Sequence, residues 1–327
     1  MASIQSVAER AKVGVGTVSR VINGSGYVSE KTRKKVLKAI KELDYVPNEL
    51  ARNLLHQRTN IIAMVIPDIS NPFYAWLVDE VEKELRKRGF KMMLCNTVGE
   101  KTNERAYLDM LNRSIVDGIL SGTHTLDFDQ YRQIKRPMVF FDAPPSVGVP
   151  VIMADHQKGG NLAAEALIRS GCKEVVQFAD KVAGGDEFPF FKRHEAFRKR
   201  MKEAGVVCHD YITEWDEFDN AYFQNIVEDC YDRYPGADGV LGVDTLAAYY
   251  MKHALTKGKR VPDELKIVAY DGTSLLKTTY PTISAIVQPV KELARNGVEQ
   301  LLKQIEGGQS EDCIALDVTF EKGMSTK

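Results

Sequence analysis

Apolar residues follow one rhythm at the start of this chain and another after it. In the first 43 residues they recur every three or four positions, the helical period: Ile4, Val7 and Ala8, then Val18, Val21 and Ile22, then Val36, Leu37, Ile40 and Leu43. Ser3 is placed to cap a helix over 4–10, and Ser29 caps a third helix. A break at 11–13 precedes a second helix over 15–22, which Asn23-Gly24 ends, with Ser25-Gly26 holding the chain in a loop. Two short helices about a tight turn, supported by a third, predict a helix-turn-helix whose second helix can lie in a major groove.

From Asn60 onward, short apolar runs alternate with amphipathic stretches. Strands are expected at 61–67, 90–95, 116–120, 138–142, 175–179, 240–243 and 267–270, and helices at 74–88, 102–113, 160–170, 191–204, 222–231 and 245–256. Such an alternation implies parallel sheets covered by helices on both faces, and about 265 residues make two of them. The expected fold is an all-α helix-turn-helix head followed by an α/β body of two doubly wound parallel-sheet lobes.

Charge divides the chain at the same place. The first 58 residues carry eleven Lys or Arg against five Asp or Glu, a sum of +6, while the remaining 269 carry 33 against 40, a sum of −7. A basic head on an acidic body points to a polyanion, and duplex nucleic acid fits, since Lys and Arg displace counterions from phosphate. In the second helix, Val15 and Gly16 begin the turn that meets base edges, and Arg20 has the bidentate geometry for guanine. Thr17 and Ser19 suit phosphate oxygens, which fix register.

In doubly wound sheets ligands sit beyond the carboxyl ends of strands. Those ends supply Asp68, Ser70, Asn71, Phe73 and Tyr74 after the first strand, then Ser121, Asp142, Asp155, Asp244 and Asp271, with Arg193 starting a helix in the second lobe. Carboxylates and one guanidinium hold vicinal hydroxyls, while rings such as Phe73, Tyr74 and Trp215 stack on C–H faces, so a sugar is the expected ligand. Asp at a strand end also caps the helix that follows, and Asp155 and Asp244 fit that role equally well.

Other classes fit less well. Gly14-Val15-Gly16 is no dinucleotide loop, because Ser19 stands where a third Gly belongs and no strand precedes it, and no cofactor is expected. There is no G-x-S-x-G, P-loop or H-E-x-x-H, and the six His are not paired at metal spacing, so a sugar isomerase or kinase is the weaker alternative. His156 and His194 fall near the expected cleft as polar wall residues. Five scattered Cys without a C-x-x-C suit a reducing compartment, no apolar run approaches ~18 residues, and the first eleven residues are no signal peptide. A cytoplasmic protein is expected. A secreted sugar binder is opposed by the basic head.

The stretches Ser3-Ile4-Gln5-Ser6-Val7-Ala8 and Val13 to Gly24, with Val28-Ser29-Glu30-Lys31-Thr32-Arg33 and Leu43-Asp44-Tyr45-Val46-Pro47-Asn48, resemble the head of the lactose- and galactose-repressor family. The resemblance runs more loosely to the end of the chain, and Lys12 stands where the family usually has Gly. It implies a DNA-binding domain over 1–46, a hinge helix and linker over 47–59, and an effector-binding and dimerisation core over 60–327. It adds Ser3, Asn23 and Arg33 to the DNA-facing set, together with Asn48, Ala51, Arg52 and Leu54 of the hinge, where paired Leu54 side chains would wedge a central base step. The core would be of periplasmic-binding-protein type, crossing between lobes near Asp155, Ser284 and Leu316. One lobe would comprise about 60–155 and 285–316, the other about 156–284 and 317–327.

By the same resemblance, Asp68 to Tyr74 is the first effector loop, Arg193-His194-Glu195-Ala196-Phe197 the arginine segment, and Tyr270-Asp271-Gly272 the last-strand Asp. Gly242-Val243-Asp244 has Val where the family usually has Asn, Ala196 replaces a common Gly, and Trp215 lies near an aromatic effector position. The implied function is a homodimeric repressor of carbohydrate-utilisation genes, released from a palindromic DNA operator by a sugar. No leucine heptad follows the last strand, so no tetramer is expected. Ser121 to Asp127 and Tyr270 to Thr273 look similar to members that govern sucrose or fructoside use. A purine-responsive repressor and a regulator with a phosphoprotein corepressor remain as alternatives.

Overall fold

A computed structural model describes residues 2–45, 58–97, 101–181, 188–214 and 219–327. The chain divides into two compact units, residues 1–59 and 60–327.

In the first unit, α1 (Ile4–Ala11), α2 (Val15–Asn23) and α3 (Glu30–Glu42) enclose Val7, Ala8, Val18, Val21, Val36 and Ala39. Leu37 was expected among the inward residues but is 52 % exposed. The buried stripe of α3 runs through Val36, Ala39, Ile40 and Leu43, and Leu37 lies about 100° round the helix from Val36. Lys12, at the end of α1, is left-handed with φ 54°, which explains why Gly suits this turn.

Among the described residues, the second unit holds two six-stranded sheets. The first consists of β1 (Ile61–Ile66), β2 (Lys91–Asn96), β3 (Gly118–Ser121), β4 (Met138–Phe141), β5 (Val151–Ala154) and β11 (Cys313–Leu316). Its order is β11-β5-β4-β3-β1-β2, all parallel. The second consists of β6 (Glu174–Lys181), β7 (Val207–Glu214), β8 (Gly239–Val243), β9 (Lys266–Asp271), β10 (Ser284–Val287) and β12 (Thr319–Glu321). Its order is β12-β10-β9-β8-β6-β7, with only β12 antiparallel.

Alternation along the strands feeds a core on each face. Ile62, Met64 and Ile66 pack on α4 (Pro72–Lys87) and α11 (Val290–Ile305) through Leu77, Leu85, Leu293 and Leu301. Ala63 and Val65 turn to α5 (Lys101–Asn112) and α6 (Phe128–Arg132) through Leu108, Leu111 and Tyr131. In the second sheet, Val175, Leu241 and Val268 meet α7 (His156–Arg169) and α8 (Phe191–Glu203), while Val176, Val240 and Ile267 meet α9 (Asn220–Arg233) and α10 (Asp244–Thr256). Burial at both faces of a strand is what made these runs continuous in apolar residues.

The chain passes from the first sheet to the second at Asp155, returns at Gln288-Pro289 between β10 and α11, and passes over again at Asp317-Val318. Residues 285–287, assigned from the sequence to the first lobe, therefore lie in the second sheet. Helix α7 begins at His156 rather than at 160. The pair Gly159-Gly160 is inside it, because a Cβ at Gly159 would stand 2.2 Å from the Tyr270 hydroxyl and one at Gly160 2.1 Å from the Arg193 carbonyl oxygen. Among the described residues no helix is long and apolar enough to cross a membrane.

Candidate functional site

In the first unit, burial of Val18 and Val21 fixes which face of α2 is turned outward. Val15, Gly16, Arg20 and Asn23 are exposed, and Thr17 and Ser19 are half-buried. Asn23 Nδ2 donates to Ser19 Oγ at 3.2 Å, so the end of the helix presents a preordered polar edge. The stem of Arg20 lies along the loop, its Cδ 3.5 Å from where a Cβ on Gly26 would stand. Exposed Ser3 also caps α1, in a reciprocal box with Ser6, and Arg33 is half-buried on α3. The hinge residues Asn48, Ala51, Arg52 and Leu54 lie outside the described residues, as does Trp215.

In the second unit the carboxyl ends of both sheets face one cleft of about 530 Å3, a size typical of small-molecule sites. Each sheet reverses its order there, between β1 and β3 in one and between β6 and β8 in the other, which leaves a crevice that the connections do not cover. Of the residues expected from the sequence, Ser70, Asn71, Phe73, Tyr74, Asp142, Arg193, Asp244 and Asp271 line it. Asp68 and Ser121 do not. Asp68 accepts from Ser70 N at 2.7 Å and shapes the loop, and buried Ser121 donates to the Thr123 carbonyl at 2.9 Å. Asp155 caps α7, accepting from Lys158 N at 2.9 Å.

Arg193 is the cationic pole. Its Nη2 donates to Asp180 at 2.7 Å, its Nε donates to His194 Nε2 at 3.2 Å, and its guanidinium carbon lies 4.8 Å from the Tyr270 ring centre. Burial depresses the His194 pKa, so the neutral ring can accept from Arg193 while Nδ1–H donates to Gln177 Oε1 at 3.1 Å. Gln177 is tied in turn to Asp210 at 2.6 Å. Burial alone would raise the Asp180 carboxyl, but the Arg193 guanidinium beside it outweighs that and holds the group below its ordinary range. The guanidinium is thus fixed before any ligand arrives.

The acidic pole is less comfortable. Asp244 accepts from Gly272 N at 3.1 Å and Thr273 N at 2.6 Å, yet burial pushes its pKa up to about 6. Asp271, whose φ is 121°, accepts from Gln288 Nε2 at 2.8 Å. Burial and the neighbouring Asp244 carboxylate raise it well above the carboxylate range. A raised carboxyl contributes stability that is present at low pH and lost as pH rises through its folded pKa. Asp244 and Asp271 therefore contribute a loss of stability as pH rises from 5 to 7.5, opposed by the buried neutral His124 and His194, whose contribution is lost as pH falls. Asp271→Asn should remove the Asp271 share of the loss at rising pH and stabilise the protein by about 1–2 kcal/mol at pH 7.5. Urea titrations at the two pH values check both statements.

Several cleft residues escaped the sequence reading. Asp180 is the penultimate residue of β6, one residue beyond the expected strand, and extending that strand by a single position would have found it. Gln288 follows β10, a strand not anticipated, and its buried Oε1 has no hydrogen-bond partner among the described residues and is available to a hydroxyl donor. Phe188, Phe190, Tyr222 and Tyr249 add an aromatic wall that spacing alone could not place. His124 also lines the cleft, kept neutral by burial with a pKa lowered to about 4. Charged groups with fixed partners on one side and ring faces on the other suit a polyhydroxylated ligand with apolar C–H faces.

Comparison with known proteins agrees with both units. Residues 3–48 match the family described as "Bacterial regulatory proteins, lacI family", and residues 164–326 match "Periplasmic binding protein-like domain". A ribose operon repressor of Halalkalibacterium halodurans is 37% identical, with 94% of this chain and 91% of that protein covered. A sucrose operon repressor of Streptococcus mutans is 36% identical, with 99% of each covered. Among solved structures, a Lac repressor dimer bound to operator superposes with a TM-score of 0.85 at 21% identity, covering 99% of each chain. A complex of the regulator CelR with cellobiose superposes with a TM-score of 0.70 at 26% identity, covering 99% of this chain and 100% of the other.

Proposed function

Because the chain belongs to the LacI family of bacterial regulatory proteins, we propose that it is a cytoplasmic, homodimeric repressor of carbohydrate-utilisation genes, released from a palindromic operator by a sugar. The observation that carries this reading is the presence in one chain of a helix-turn-helix with an exposed Arg20 and a cleft that holds Arg193 opposite several carboxylates. A two-fold dimer sets two recognition helices on the half-sites of a palindrome. In the cleft, Asp142, Asp271 and Gln288 accept from sugar hydroxyls, Arg193 donates to them, and Phe73, Phe190 and Tyr222 present ring faces. Sugar that binds one lobe arrangement better than the other shifts the population toward it, and a differential of ~1–3 kcal/mol suffices for control.

The names of the relatives, ribose and sucrose operon repressors, support a sugar. Two related repressors named PurR, from Vibrio species and each 31% identical, keep a purine among the ligands to be screened. A thermal-shift screen of sugars, sugar phosphates and purines decides the class. Saturation at 100 times Kd stabilises by about 2.7 kcal/mol, so a sugar should raise the melting temperature by several degrees. Stabilisation by purines alone would overturn the sugar reading.

Selection of bound sequences from random duplexes should yield a palindrome. Replacement of the hinge leucine, Leu54→Ala, should weaken that palindrome about ten-fold or more while sugar affinity stays unchanged, since an apolar wedge contributes only on bent DNA. Unchanged duplex affinity would remove Leu54 from the mechanism.

A further inference from the structure

The first turn of α7 lies between the two sides of the cleft. His156 opens it and is 2 % exposed. Its Nε2 stands 2.9 Å from Asp142 Oδ1, which belongs to the first lobe, and its Nδ1 stands 3.0 Å from the Tyr270 hydroxyl on β9 of the second lobe. A carboxylate oxygen accepts, so the ring nitrogen that meets Asp142, Nε2, is placed as the donor, and the Tyr270 hydroxyl is placed to donate to Nδ1. The two rings stack at 21° with centres 5.8 Å apart, and Tyr270 also lies under the Arg193 guanidinium at 4.8 Å. Gly159 and Gly160, in the same turn, leave room for the Tyr270 hydroxyl and the Arg193 carbonyl to close on the helix.

We propose that His156 is a positioning residue that couples the two cleft poles, Asp142 and Arg193, through Tyr270, so that contact at one lobe sets the geometry at the other. The inference rests on the cleft being the effector site. Asp142 is held at φ 49° and also accepts from Ala154 N at 3.3 Å, so its orientation depends on the residues that join the lobes. Tyr270 Oη is committed to His156, and its ring face is committed to Arg193. A shift of Asp142 toward or away from a ligand pulls on the imidazole, and the imidazole pulls on the ring beneath the guanidinium. Hydrogen-bonded chains of this kind are worth more together than pair by pair.

The test has two arms that need no ligand. In the full chain labelled with 15N-histidine, long-range proton–nitrogen spectra should show His156, identified by its loss in His156→Gln, as the Nε2–H tautomer. Tyr270→Phe should move its Nδ1 resonance and Asp142→Asn its Nε2 resonance. In urea unfolding, Asp142→Asn and Tyr270→Phe should be non-additive by roughly five-fold or more in the folded-to-unfolded ratio, and additive once His156→Gln is present. A purely structural His156 would leave the two substitutions additive in both backgrounds. The Nδ1–H tautomer, or additivity in the presence of His156, overturns the coupling. Where Asp142→Asn or Tyr270→Phe does not fold, the tautomer decides, with His156 assigned by the loss of its signals in His156→Gln or, if that variant does not fold, in His156→Asn. Neither arm depends on which ligand binds, so failure of the relay and failure of the sugar reading are separate results.

Discussion

Arg193→Met should lower the affinity for the stabilising sugar about a hundred-fold and destabilise the unliganded protein by about 3–5 kcal/mol. The affinity loss follows from removing a fixed cation whose hydrogen bonds to ligand are worth about 1.5–3 kcal/mol each in a buried site. The stability loss has a different origin. Asp180 stands 2.7 Å from the guanidinium with only 18 % of its side chain exposed, and truncating one partner leaves the other buried and unpaired. Adding Asp180→Asn should therefore recover much of the stability and none of the affinity. Calorimetric titration for binding and urea unfolding for stability separate the two effects. Full affinity in Arg193→Met would remove the residue from the site.

The second large effect concerns the head. Arg20→Ala should weaken the selected palindrome by about 1–3 kcal/mol, some five- to 150-fold, and relax the preference at one base pair in each half-site. Arg20 is exposed on α2, and the core of the unit is made by Val7, Val18, Val21 and Val36, so the fold should survive the change. Lys34→Ala is the control. As a phosphate contact it would lower affinity for all duplexes alike and reduce the slope of log affinity against log salt by about one. Fluorescence anisotropy on the palindrome and on a scrambled duplex, over a range of salt, tells base reading from charge neutralisation. Equal losses on both duplexes would make Arg20 a phosphate ligand.

The sequence was most legible where a local rule and a global one agree. The period of apolar residues located the three head helices, because nothing else in so small a unit can cover Val18 and Val36. The central strands β1, β3, β4, β8 and β9 were visible as apolar runs, since both their faces are buried. The edge strand β2 was expected at 90–95, but the edge strands β7, β11 and β12 and the short interior strands β5 and β10 were not. β7, with the sequence VCHDYITE, and β11, with CIAL, are partly exposed, and their polar or short runs resemble loops. The start of α7 was misplaced for a tertiary reason, because the glycines that argue against a helix are required by Tyr270 and Arg193 packing against it.

Site residues divide in the same way. Strand ends gave Asp142 and Asp271 because topology dictates where a doubly wound sheet opens, while Arg193 came from the start of a helix and the family's arginine segment. The same rule brought in Asp68 and Ser121, whose polar atoms are used up in their own loops. Gln288 and the wall of Phe188, Phe190, Tyr222 and Tyr249 depend on how the connections fold back over the cleft, which no local pattern records.

Coupling between duplex and sugar tests the central claim most directly. The palindrome's affinity should be measured with and without saturating sugar, and the sugar's affinity with and without saturating palindrome. A ligand-responsive repressor predicts that each weakens the other by one common factor, about five- to 150-fold, because a coupling free energy is reciprocal. Sugar that binds the cleft while leaving duplex affinity unchanged would contradict the account.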